Sequence, residues 1–108
     1  MAKYLVIESR DPFDSSDSNY FSELVKGIAG RGNETTVLLI QNGVLPARKG
    51  SKYNDSIANL VRENVQVLAD GFSLKERAIR HVIDGVKITD VERIVDLLLE
   101  PGTKAIWH

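Results

Sequence analysis

Cysteine is absent from all 108 residues. That gap removes disulfides, thiolate metal sites and every cysteine-based nucleophile or persulfide carrier. No apolar run approaches the roughly 20 residues that cross a bilayer, so a membrane partner is not expected. Neither sign of charge dominates: 14 lysines and arginines stand against 15 acids, for a net charge of −1. A domain that grips phosphate backbones is normally basic, so nucleic acid is not an expected partner either. There is no Gly-x-Gly-x-x-Gly or Walker pattern, no internal repeat and no linker. The opening M-A-K-Y-L-V-I-E is too short and too quickly acidic for a signal peptide, and a cytoplasmic location is expected.

What is there fits one globular domain over residues 1–108, with 43% apolar and 27% charged residues. Short runs rich in branched residues, Tyr4–Ile7, Val37–Ile40, Val65–Ala69 and Ala105–Trp107, suit strands covered on both faces, with Gly85–Thr89 as a weaker fifth. Helical periodicity fills the gaps. Phe21, Leu24, Val25 and Ile28 form one stripe, Ile57, Leu60 and Val61 a shorter one, and Val91, Ile94, Val95 and Leu98 a third. The alternation implies βαβ crossovers, and hence an α/β fold with a largely parallel sheet between helices.

The stretch A-D-G-F-S-L-K-E-R-A-I (69–79) marks where the third strand gives way to a helix. Ser73-x-x-Glu76 has capping-box spacing and predicts an N-cap at Ser73 with a helix over about Leu74–Val82, leaving Asp70 and Gly71 as the turn. The spacing Thr89-x-x-Glu92 predicts a second box.

Three segments also resemble the DsrE/DsrF/DsrH family, which includes the TusB, TusC and TusD sulfur-relay subunits. L-L-I-Q-N-G-V-L-P-A (38–47) is similar to the family's strand followed by Q-D-G-V. The stretch 69–79 resembles its third-strand turn, which leads to an arginine-glycine-aliphatic pattern, met here by Arg77–Ala78–Ile79. The closing A-I-W-H resembles the aromatic ending of TusB and DsrH. The resemblance implies a three-layer α/β/α sandwich with a mostly parallel five-stranded sheet of the DsrE-like type. In sulfur-carrying members a cysteine lies after the third strand. That position falls at Asp70, and a second falls near Ser73, beside Gly71. A carboxylate cannot hold a persulfide sulfur, so the transfer chemistry does not carry over. The resemblance then implies a non-catalytic structural or docking subunit that self-associates as a dimer, trimer or hexamer, or binds a cysteine-bearing paralogue. The alternative is a small-ligand or anion-binding module, or an enzyme with Asp70 as a base.

Other groupings are weaker. Asp11, Asp14 and Asp17 lack calcium-loop spacing and read as a solvated loop, with Asp17 or Ser18 capping the next helix. A receiver-like acceptor at Asp70, with Glu8 or Asp11 on magnesium, lacks the acidic pair such proteins need. His81 and His108 are too few for a metal site, and His81 is expected late on the helix begun at Ser73. A Ser73–His81–Asp84 hydrolase set is spread too far along that helix. No cofactor and no metal are expected. Gln41, Asn42 and Gly43 follow the second strand, with Gly43 expected at positive φ. Beyond them Arg48, Lys49 and Lys52 form either a solvated basic loop or, with Arg77, an anion- or partner-docking edge. Trp107 either finishes the core or anchors an interface.

Overall fold

The apolar runs form strands and the periodic segments form helices. The computed structural model describes residues 2–11 and 18–108. In order these give β1 (Lys3–Glu8), α1 (Ser18–Gly30), β2 (Glu34–Leu39), a 3-10 segment (Gln41–Ala47), α2 (Asn54–Arg62), β3 (Gln66–Asp70), α3 (Gly71–Glu76), β4 (Val86–Thr89), α4 (Val91–Leu99) and β5 (Thr103–Trp107). The strands lie in the order β4-β3-β2-β1-β5. All four pairings are parallel, so among the described residues the sheet is wholly parallel. The aspartates Asp14 and Asp17, and the cap expected at Asp17 or Ser18, lie outside the described residues and side chains.

Side-chain alternation along the strands divides the core in two. Val6, Val37, Leu39, Val67 and Ala69 pack with Phe21 and Val25 of α1, Ile57 and Leu60 of α2, and Leu74 of α3. Leu5, Ile7, Leu38 and Leu68 face the other way, against Ile94 and Leu97 of α4. The chain steps from β1 to β4 in one direction with α1–α3 on one face. It then crosses back through α4 on the opposite face and sets β5 beyond β1. That reversal places the topological switch point between β1 and β5.

Helix α4 departs from its sequence pattern. Leu97 is buried and Ile94 half-buried, whereas Val91, Leu98 and Leu99 are 68%, 47% and 75% exposed. Among the described helices α4 alone covers its face, so only its inner edge finds apolar company. Its cap also shifts by one residue. Asp90, not Thr89, accepts from the Arg93 N–H at 2.9 Å.

Helix α3 is shorter than its spacing predicts and ends at Glu76, not near Val82. The Ile79 N–H reaches back to the Leu74 carbonyl at 2.9 Å, and the Ala78 N–H to the Lys75 carbonyl at 3.1 Å. Those two bonds make a Schellman ending with Ala78 in the left-handed region, φ 55°. His81 is therefore off the helix, in an extended segment that pairs with the end of the 3-10 segment. Lys49 N–H donates to His81 O, Ile83 N–H to Ala47 O, and Arg48 bridges Val82.

Candidate functional site

Strand β3 carries Asp70 to the carboxyl edge of the sheet, where the residue also caps α3. Its Oδ2 accepts from the Ser73 N–H at 3.1 Å and from the Ser73 hydroxyl at 2.6 Å. Ser73, expected as the cap, is instead the third helical residue and is buried. Asp70 holds the position because an acidic side chain three residues before a free N–H is a strong cap and suits the helix dipole. The Ser73 oxygen also accepts from the Gln41 N–H at 2.8 Å. Arg77 Nε donates to Asn42 Oδ1 at 3.0 Å, and Nη1 donates to the Ser73 carbonyl at 3.1 Å.

The fold thus brings together Gln41, Asn42, Asp70, Ser73 and Arg77. Gly71 lies among them where space is tight, since a Cβ there would meet Thr89 O at 3.2 Å. Serine hydroxyl and aspartate carboxylate tie the turn after β2 to the turn after β3. Asp70, Gly71 and Phe72 border an open groove of about 950 Å³ that Ile88, Asp90 and Val91 complete.

Gly43 plays a different part from the one expected. The positive φ belongs to Gln41, at 51°. Gly43 is needed for close approach, because a Cβ on it would lie 2.1 Å from the Glu8 carbonyl oxygen. Arg48 and Lys49 are exposed and join the 81–83 segment through backbone contacts rather than the Asp70 turn. Trp107 does not finish the core. It is 67% exposed, its Nε1 donates to Ser9 Oγ at 3.2 Å, and its register opposite Ile7 puts it on the α4 face.

A further cluster lies at the ends of β1 and β5. Glu8, 6% exposed, accepts from the Arg10 N–H at 2.9 Å and pairs with His108 Nδ1 at 2.9 and 3.1 Å. The His108 ring stacks on Phe21 with centroids 5.7 Å apart. Together with Leu39, Pro46 and Ile57 these residues line a mainly apolar cavity. The sequence weighs Glu8 only as a magnesium ligand and His108 only as structural. The sole local signal is an acid closing an apolar strand, and the pairing depends on strand order. Among the described residues no group of three or more histidines and acids is placed to hold a metal. No helix among them is long and apolar enough to cross a membrane.

Several solved structures share this architecture. The ychN protein from E. coli superposes with a TM-score of 0.88 at 18% identity, covering 100% of both chains. A protein of unknown function from Methanobacterium thermoautotrophicum gives 0.81 at 20% identity, covering 98% of this chain and 97% of its own. A conserved protein of unknown function from Bacteroides thetaiotaomicron gives 0.81 at 14% identity, covering 99% and 95%. At such identities the likeness establishes the fold. No curated protein matches the chain in sequence. The sequence profile described as DsrH like protein matches residues 12–103, from just after β1 into the start of β5, and on that match the chain belongs to the DsrH-like family.

Proposed function

We propose that this chain is a non-catalytic subunit of sulfur-relay type that works by docking, in assemblies with itself and with a cysteine-bearing relative of the same fold. The observation that carries the reading is the outer surface of α4. Val91, Val95 and Leu98 repeat at i, i+4 and i+7 and so share one helical face, with Leu99 beside it, all turned to solvent. Trp107 is exposed on the same side of the sheet. An exposed apolar helix face of this kind marks an interface, and an exposed amphipathic ring on the same side of the sheet is a natural anchor. The groove bordered by Asp70 and Phe72 runs up to Val91, so the family's cysteine position adjoins this surface. With no thiol in the chain, sulfur has to be carried by the partner.

The test combines light scattering with co-expression of a cysteine-bearing paralogue from the same source. The expected wild type is a multimer of the 12.0 kDa chain that retains the paralogue. Val95→Glu/Leu98→Glu is expected to lower the mass and release the paralogue with an unchanged circular dichroism spectrum. A wild type that is strictly monomeric and retains no paralogue would overturn the proposal.

The open groove beside Asp70 favours a second reading, that of a small-ligand or anion site. A thermal-shift screen with phosphate, nucleotides and thiosulfate addresses it. Absence of any stabilising compound, or a ligand-induced shift that Asp70→Ala leaves undiminished, would end that reading.

A further inference from the structure

We infer that the cavity at the ends of β1 and β5 is a binding site for a small uncharged molecule that joins one hydroxyl group to a flat apolar body. Three independent features meet there. The first is topological. In open parallel sheets ligands bind outside the carboxyl ends of the strands where the winding reverses. Here the reversal falls between β1 and β5, the two strands that end in Glu8 and lead into His108. The Asp70 turn lies two strands away, at the end of β3.

The second feature is the polar pair. A carboxylate offers about four lone-pair positions. Those of Glu8 are engaged by the Arg10 N–H on Oε1 and by His108 Nδ1, shared between Oε1 and Oε2. Acceptor capacity remains on Oε2, enough for one further donor. The pair is held rigidly by its surroundings. His108 is fixed by its backbone N–H to Ile7 O at 2.8 Å and by the Ser9 N–H to its own carbonyl at 3.1 Å.

The third feature is the wall. Phe21, Tyr53, Ile57 and Pro46 surround the pair, and the exposed lining is mostly carbon, with Arg10 following β1 and Ser56 at the α2 side. The depression offers about 30 Å³ of water-accessible space and opens to solvent on one side. That exceeds the roughly 10–15 Å³ a water molecule needs, and so is enough for a hydroxyl group. A charged head would have to shed its hydration in a largely apolar space beside a carboxylate that is already paired and an Arg10 side chain that already has a partner of its own, which disfavours it. The rings of Phe21, Tyr53 and His108 favour a flat aromatic body.

The probe is phenol, titrated into the isotope-labelled protein and followed by amide chemical shifts, with benzoate and benzylamine as charged counterparts of similar size. Phenol is expected to move the amides of Gly43 and Ser56 saturably, with a dissociation constant of about 1–10 mM, as befits so few atoms. The charged probes are expected to bind at least about fivefold more weakly. His108→Ala, which keeps the backbone ladder, is expected to weaken phenol about fivefold or more. Ser56→Phe, which fills the cavity from α2, is expected to abolish it. The inference is overturned if phenol leaves Gly43 and Ser56 unmoved, if its effect survives both substitutions, or if either charged probe binds there more tightly.

Discussion

Ala78 holds a φ of 55° at the end of α3, a conformation in which a Cβ crowds the following carbonyl. The Schellman bonds around it call for glycine, which is what the family's arginine-glycine-aliphatic pattern supplies at this point. Relief of roughly 1–2 kcal/mol of left-handed strain, less the roughly 0.4–1 kcal/mol of added freedom in the unfolded chain, leaves Ala78→Gly stabilising by up to about 1.6 kcal/mol, centred on about 0.8 kcal/mol. Urea denaturation measures it, and an unchanged or lower midpoint would contradict this helix ending. Asp70 permits a second comparison at the same scale. Asp70→Ala removes the cap and the partner of the Ser73 hydroxyl, and is expected to cost about 1–2 kcal/mol. Asp70→Asn keeps an accepting oxygen and should lie within about 0.5 kcal/mol of wild type. Equal losses in both variants would mean that the carboxylate charge, not the cap, matters. The helix caps were only partly legible, because each Ser or Thr of a box-like spacing has an aspartate nearby that caps as well or better, Asp70 before Ser73 and Asp90 after Thr89. The end of α3 was illegible for a related reason, since no glycine announces it.

Glycines report on how elements meet. Gly43 brings the 3-10 segment against the end of β1, and a methyl group would have to displace backbone, not a side chain. Gly43→Ala is therefore expected to cost about 3 kcal/mol or more, if the protein folds at all. Gly27, inside α1, has nothing within 4 Å of an added Cβ. Gly27→Ala should stabilise by roughly 0.5–1 kcal/mol through helix propensity alone. Thermal melts of the two variants should move in opposite directions, and a shared direction would refute the packing described. Strands and helices themselves were readable, because five branched apolar runs and three periodic stripes each point to one element type. Which side of α4 is buried was not, since Val91, Ile94, Val95 and Leu98 satisfy the helical period equally well facing a sheet or facing a partner. The role of Gly43 was hidden too, because a close approach to Glu8 depends on the neighbouring strand.

At the scale of the whole molecule the described residues cover the sheet unequally, with three helices on one face and α4 alone on the other. Strand order, which no local pattern encodes, decides what stands at the edges. It sets Glu8 against His108, 100 positions apart in the chain, and leaves Trp107 on the thinly covered side. The same inequality bears on dynamics. A helix held by Ile94 and Leu97 along one edge opens more readily than α1, whose Val25 is wholly buried. If another subunit covers Val91, Val95 and Leu98, that opening has to wait for dissociation, and amide exchange in residues 95–99 becomes dependent on protein concentration. A hundredfold dilution through the dissociation range is then expected to speed exchange there about tenfold or more, while the amides of Val6 and Val37 in the central strands keep their rates. Exchange in α4 that is equally fast at both concentrations would mean that its outer face stays in water, and docking would have to use another surface.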